Sequence, residues 1–296
     1  MKFVSFLQDG HPCVGLLNPE QEEVHQVVLP TGTPGPSSLL AVIQGWDRAT
    51  DSSVETVGHG LPIAGLELLA PIPRPACNIY CVGKNYVDHA EEFARSGFDA
   101  TGNKVEAPSH PIFFTKTVGS VVGPGHPVDP HPAVTSALDY EAEIAVIIGR
   151  GGRSIAAEDT WKHIWGYTLI NDVTARDLQQ RHRQWFLGKS LDTFCPMGPW
   201  AVTADEVDAT DMDLECRVNG ELRQQANTKD LIFDIPTLIS TLSAGLSLEA
   251  GDIIATGTPA GVGIGFEPPR FLQAGDVMSV SASGLGTLTN PILREV

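Results

Sequence analysis

The pattern of apolar and polar positions changes character along this chain. Near the N-terminus, FVSFLQDGHPCVGLL alternates around Asp9-Gly10, the signature of a hairpin turned by two residues that tolerate positive φ. TGTPGPSS then reads as a loop and SLLAVIQGW as a short helix. Three prolines in LLAPIPRPACNIYCVG (Pro71, Pro73 and Pro75) favour an extended connector. We place a domain boundary there, giving a small N-terminal α+β domain over 1–70 and a larger domain over 71–296. The larger part is strand-rich and punctuated by glycine and proline, with PTLISTLSAGLSL (236–248) the best helical candidate. LEAGDIIATGT and LQAGDVMSVSASGLGTLTN share L-x-A-G-D before an apolar strand, which reads as one turn used twice rather than as a repeat. Strands do not alternate regularly with long helices, so a doubly wound sheet or an α/β barrel is disfavoured. The expectation is a mixed, β-rich fold with a β-roll or barrel-like second domain.

One stretch in that domain raises a question of charge. In SALDYEAEIAVIIGR (136–150), AEIAVIIG is a near-continuous apolar run, as in a strand buried on both faces. Glu141 and Glu143 stand where it begins, and residues two apart on a strand point to the same side. A third acid, Asp172, follows the apolar run Ile164 to Ile170 in HIWGYTLINDVTARDLQ. Two readings stay open from these residues alone. Glu141 and Glu143 could end a solvated strand, with Asp172 capping the helix that VTARDLQ begins. Alternatively, three acids at buried strand ends form an all-oxygen ligand set for Mg²⁺, Mn²⁺ or Ca²⁺ rather than Zn²⁺.

Composition narrows the setting. The chain has 296 residues, 42% hydrophobic and 19% charged, which suits a globular protein with a large core. A formal charge of −17 argues against nucleic acid or an anionic membrane as partner. No segment reaches membrane-spanning length, and MKFVSFLQDGHPC lacks the apolar stretch of a secretory signal, so a cytoplasmic protein is expected. The five cysteines have no zinc-like spacing and read as reduced thiols.

Four ordered motifs, LDYEAEIAVIIG, GYTLINDVTARDLQ, GKSLDTFCPMGPW and GDIIATGTPAGVG, resemble the fumarylacetoacetate hydrolase family over about residues 72–294. The resemblance implies a β-roll, usually as a homodimer, with Mg²⁺ or Mn²⁺ held by Glu141, Glu143 and Asp172. Some family members add an acidic ligand shortly before the site histidine. This chain has Gly83-Lys84-Asn85-Tyr86 there, so three protein ligands plus waters are expected.

KNYVDHAEEFA (84–94) reads as a loop entering a short helix, with Asp88 as N-cap and Glu91 completing a capping box. His89 and Glu92 then lie three apart on one face, where the carboxylate can fix the imidazole tautomer and raise its basicity. On spacing alone a surface pair of little consequence is the favoured reading; the resemblance reverses that and makes them the acid–base dyad of a mobile lid. The following stretch, RSGFDATGNK, is Gly/Asn-rich and suits a mobile loop. The resemblance likewise places Lys189 in the metal site, supporting an enolate oxygen, and makes Gln179 and Thr258 substrate contacts. TGTPAGVG could aim backbone N–H groups at a substrate carboxylate. Lys116 is carried as a second cation near the site. The leading expectation is metal-dependent hydrolysis of a C–C bond in an acylpyruvate or related β-diketo acid. The alternatives are tautomerisation of 2-hydroxy-diene-dioates and decarboxylation of an oxaloacetate-type acid, since fold and metal do not decide between reactions.

Overall fold

The structure is a computed structural model that describes residues 1–28, 38–45, 54–98 and 108–294. In chain order the elements are β1 (Lys2–Gln8), β2 (His11–Asn18), β3 (Glu23–Val28), α1 (Leu39–Gln44), β4 (Glu55–Pro62), β5 (Glu67–Leu68), β6 (Ile79–Gly83), α2 (Val87–Arg95), β7 (Ile112–Lys116), β8 (Val121–Val122), β9 (Leu138–Asp139) and β10 (Ala142–Ile148). They continue with β11 (Ile164–Asn171), β12 (Thr174–Ala175), α3 (Arg176–His182), α4 (Phe186–Lys189), β13 (Cys195–Thr203), β14 (Asp213–Val218), β15 (Glu221–Asn227), α5 (Ile235–Ser243), β16 (Ile253–Ala255), β17 (Val277–Ala282) and β18 (Gly286–Pro291).

A single mixed sheet runs β4-β3-β2-β1-β13-β11-β10-β16-β6-β7, and a four-stranded sheet, β15-β14-β17-β18, lies apart from it. The expected β-rich, mixed architecture is present. The main sheet is open, with β4 and β7 at the ends of its path, rather than a closed barrel. The N-terminal strands extend this same sheet through the antiparallel pairing of β1 with β13, Lys2 opposite Val202.

Local signals explain several elements. The Asp9-Gly10 turn joins β1 to β2 with both φ values positive, 52° and 78°, the geometry that matches strand twist in a two-residue hairpin. The Asp234 side chain caps α5 by accepting from the Thr237 N–H at 2.9 Å, and Ile235, Leu238, Ile239 and Leu242 form its buried face. The doubled L-x-A-G-D is indeed one turn used twice. Asp252 accepts from the Glu249 N–H and Asp276 from the Gln273 N–H, each at 2.8 Å, with Gly251 and Gly275 at φ 96° and 91°. TGTPGPSS lies outside the described residues except for Ser38, which caps α1. Among the described residues, no helix is long and apolar enough to cross a membrane.

The hinge of the architecture is β10, every residue of which is buried. Ala142, Ile144, Val146 and Ile148 join one hydrophobic cluster, Ala145 and Ile147 a second. Period-two alternation therefore divides the strand between two cores. Glu143 belongs to the second set by parity, so its carboxylate enters protein on that side rather than water.

Candidate active site and metal centre

One antiparallel register assembles three carboxylates. Strand β10 pairs with β11 so that Ala142 faces Asn171 and Glu143 faces Ile170. The Asp172 N–H donates to the Glu141 carbonyl at 2.8 Å, continuing the ladder by one residue. Residues directly opposite in such a pair point to the same face, so Glu141, Glu143 and Asp172 converge. Each can offer an oxygen within 4.8 Å of the others, and all three are buried. Neither a solvated strand end nor a helix cap describes them. Helix α3 begins only at Arg176, and its N-cap residue, Ala175, makes no side-chain cap bond.

Protein cations meet these acids first. Lys189 Nζ donates to Glu141 at 2.7 Å and to Asp172 at 2.8 Å. Lys116 Nζ donates to the other Asp172 oxygen at 2.6 Å and to the Val173 carbonyl at 3.1 Å. Arg176 binds Glu141 at 2.7 Å and Asp139 at 2.8 Å. Burial would push the Glu141 carboxyl up, but Lys189 and Arg176 beside it hold it at about 2. Burial likewise opposes the charged form of Lys189, and Asp172 and Glu141 outweigh it, so the ammonium is held above its ordinary range.

Glu143 is left over. It is fully buried, one oxygen accepting from the Gly257 N–H at 2.8 Å and the other meeting no partner. Burial, and then the charges of Asp172 and Glu141, push its carboxyl well above the usual range. Across Glu141, Glu143, Asp172 and Asp139, four carboxylates meet three cations, Lys116, Arg176 and Lys189. An orphaned oxygen in a buried all-carboxylate set, with one negative charge unmatched, fits a hard divalent cation.

Over this floor stands α2. His89 is 4% exposed and its Nδ1 lies 3.2 Å from Glu92 Oε2. Glu92 turns its other oxygen to the Gly261 N–H at 2.9 Å. Phe93 on the same helix packs with Val262 and Ile264 and meets Trp185 edge to face at 5.9 Å. Helix α2 is therefore seated on the 256–265 segment. The proposed capping box is absent. Tyr86 is held extended by a bridge to Leu231 and becomes the N-cap without a side-chain bond. Asp88 consequently falls inside the first turn, and Glu91 pairs with Arg95 instead. Residues 99–104 of the Gly/Asn-rich stretch lie outside the described residues.

His89, Glu141, Arg176, Gln179, Lys189 and Thr258 line one pocket, together with Lys84, Phe93, Phe114 and Trp185. With α2 seated, only about 10 Å³ is open to the centre of a water-sized sphere, about the room one water needs. Gln179 accepts from Arg176 at 3.2 Å and Thr258 from Gln224 at 2.7 Å. Lys116 does not line the pocket; it lies fully buried behind Asp172. The glycine-rich loop does aim N–H groups at carboxylates, but at the protein's own: Gly257 at Glu143, Gly261 at Glu92 and Gly263 at Asp139. Sequence reasoning missed Arg176 and Asp139. Their one signal was proximity to the candidate ligand acids within VTARDLQ and LDYEAE.

Residues 78–293 match the fumarylacetoacetate (FAA) hydrolase C-terminal domain. The chain belongs to this family. It is 52% identical over 231 residues to oxaloacetate tautomerase YisK of Bacillus subtilis, covering 78% of this chain and 74% of that protein. It is 42% identical over 236 residues to the human mitochondrial oxaloacetate tautomerase FAHD2A, covering 79% and 71%. Among solved structures, a fumarylacetoacetate hydrolase from Exiguobacterium antarcticum superposes with a TM-score of 0.84 at 44% identity, covering 100% of both chains. A 2-hydroxyhepta-2,4-diene-1,7-dioate isomerase from Mycobacterium marinum superposes with a TM-score of 0.76 at 33% identity, covering 100% of this chain and 99% of that one.

Proposed function

We propose that this protein is a metal-assisted tautomerase of small 2-oxo dicarboxylates, interconverting the enol and keto forms of an oxaloacetate-type acid. The observation that carries the reading is the His89–Glu92 dyad closing the same small pocket as Glu141 and Lys189. It occurs in a chain that is 52% identical over 231 residues to an oxaloacetate tautomerase. The expected hydrolase thus becomes the second reading.

A Mg²⁺ or Mn²⁺ ion held by Glu141, Glu143 and Asp172 would supply Lewis acidity at the 2-oxo oxygen. The chain's own residues do the rest. Conversion of enol to keto removes the enol O–H proton and adds one at C3, with no water consumed. A neutral His89 that donates from Nδ1 to Glu92 leaves Nε2 to carry that proton. Glu92 stabilises the imidazolium when it forms. Lys189, kept cationic by Glu141 and Asp172, supports negative charge on the enolate oxygen. Gln179 and Thr258 orient the carboxylate end.

Hydrolysis is kept for a specific reason. The same dyad could deprotonate a water, and a solved relative at 44% identity is described as a fumarylacetoacetate hydrolase. We also propose a cytoplasmic homodimer with 1–70 as an appended domain, a reading supported by the Pro71, Pro73 and Pro75 connector and the absence of a signal-like stretch in the sequence and, for the dimer, by the family resemblance.

The test follows the ultraviolet absorbance of freshly dissolved enol-oxaloacetate while malate dehydrogenase and NADH trap the keto form. Addition of the Mg²⁺-loaded protein should speed both signals without releasing pyruvate. Pyruvate from oxaloacetate would make it a decarboxylase, and cleavage of acetylpyruvate without enol turnover would return it to hydrolysis.

A further inference from the structure

We infer that Gln224 is a positioning residue that fixes the Thr258 hydroxyl as a hydrogen-bond donor towards the substrate carboxylate. This rests on the reading of Thr258 as a carboxylate contact and deepens it. A hydroxyl can give a hydrogen bond or take one, and an anion is held only by one that gives. A donor on the protein side of the hydroxyl oxygen settles which it does.

Strand β15 supplies that donor through an irregularity. Its pairing with β14 sets Leu222 opposite Arg217 and Gln224 opposite Cys216, which leaves Arg223 as an extra residue. Such a bulge re-aims the side chains beside it. Residues two apart on a regular strand share a face, yet Leu222 is 41% exposed and Gln224 1%. The 256–265 segment rests on the bulge: a Cβ on Gly261 would lie 1.9 Å from the Arg223 carbonyl oxygen.

The Gln224 amide has one orientation open to it. Its oxygen accepts from the Ala142 N–H at 3.0 Å, and its nitrogen donates to the Pro259 carbonyl at 2.8 Å. The first partner can only give and the second can only take, so the amide cannot be turned over. Its remaining hydrogen goes to Thr258 Oγ1 at 2.7 Å. Thr258 therefore accepts from Gln224 and keeps its own hydrogen to give. Among the described residues no protein acceptor takes that hydrogen, and Thr258 lines the pocket with Glu141 and Lys189. Ala142 stands between Glu141 and Glu143. One buried amide thus joins the carboxylate strand to the loop that carries Thr258.

The test measures binding to the Mg²⁺-loaded protein by calorimetry, with oxalate as the carboxylate ligand and acetohydroxamate as a chelator without a carboxylate. It compares wild type, Thr258→Val, Thr258→Ser, Gln224→Met and the double variant Gln224→Met/Thr258→Val. Thr258→Val and Gln224→Met should each raise the oxalate Kd about 10- to 100-fold, the range for losing a hydrogen bond to a charged group. The acetohydroxamate Kd should stay within about threefold, and Thr258→Ser should bind oxalate like wild type. The double variant should be little worse than Thr258→Val, because Gln224 acts through that hydroxyl. If the Met variant does not fold, Gln224→Glu repeats the cycle while still accepting from Ala142. Its carboxylate draws the Thr258 hydrogen away from the pocket, and its effect should be small once Thr258 is Val. Equal weakening of both ligands, losses that multiply in the double variant, or unchanged oxalate binding overturns the inference. A wild type that shows this oxalate dependence without speeding enol-oxaloacetate turnover overturns the tautomerase reading and leaves this one standing.

Discussion

Glu92 accepts from the Gly261 backbone N–H at 2.9 Å with one oxygen while the other lies 3.2 Å from His89. The dyad is therefore tied to the loop that also supplies the Gly257 N–H to Glu143. The His89–Glu92 pair and the buried carboxylate floor are tied to one backbone segment.

That tie makes His89 and Glu92 act as a unit. His89→Ala should lower kcat about 10²–10⁴-fold, the range for a positioned acid–base group. Oxalate, which occupies only the metal-site end, should bind with nearly unchanged affinity. Glu92→Ala should act through the same step, and the double variant should be little worse than the worse single one. Steady-state kinetics and oxalate titration on the three variants check this. Additive losses would mean that the two residues serve different steps.

Gly265 gives a test that leaves both dyad residues in place. A Cβ there would lie 1.7 Å from Glu92 Oε1, and the backbone itself imposes no left-handed φ at this residue. Gly265→Ala should push the carboxylate off Gly261, at a cost of about 1–3 kcal/mol in stability for the overpacking. Turnover should fall by about 10²-fold, towards the Glu92→Ala level. A folded Gly265→Ala protein with wild-type kcat would detach Glu92 from the chemistry.

How much of this was legible in the sequence follows from what each signal measures. Glu141, Glu143 and Asp172 stood out because strand periodicity and apolar runs placed acids at buried strand ends, and those are local properties. Their cationic partners were harder to see. Arg176 opens what reads as an ordinary surface helix, and its partner Asp139 lies 37 residues earlier. Only the fold brings the two together. The glycine-rich loop was legible as a source of N–H donors, but their targets depend on the packing of β10 and α2 against it. The capping box failed for a similar reason. The Tyr86–Leu231 bridge fixes where the helix starts, across 145 positions of chain, a span no local motif encodes.

The two glutamates of the candidate metal centre should give the metal-free protein opposite responses to pH. Glu141, buried but held at about 2 by Lys189 and Arg176, stabilises the fold above its unfolded value near 4.5. That contribution is lost as pH falls from there towards about 2. Glu143 has a raised value, chiefly from burial. Its contribution is present below the unfolded value and lost as pH rises. A divalent ion replaces the proton on Glu143, so metal binding should release a proton and tighten with pH. The rise in melting temperature on adding Mg²⁺ should be larger at about pH 8 than at about pH 6. Glu143→Gln should flatten the difference. A Mg²⁺ increment that ignores pH would remove Glu143 from the ligand set, and full activity in EDTA would remove the metal.

Trp185 is one wall of the pocket, so its size should limit what the pocket admits. Its ring lies against Gly83, where an added Cβ would come within 2.2 Å of it. It meets Phe93 and Phe114 edge to face, at 5.9 and 5.3 Å. It thus bridges helix α2 and strand β7 in the pocket wall. Trp185→Ala should enlarge that end of the pocket and loosen the seat of α2. The kcat/KM for oxaloacetate should drop as closure weakens. The ratio for a longer acylpyruvate or a 2-hydroxy-diene-dioate over oxaloacetate should rise about 10-fold or more, the discrimination that a few methylene-sized contacts supply. The same panel, run on wild type and variant with product analysis, reads both quantities. A uniform loss across all substrates would show that Trp185 only supports the fold of the lid, whereas a changed ratio at unchanged melting temperature would make it the residue that keeps this site for short acids.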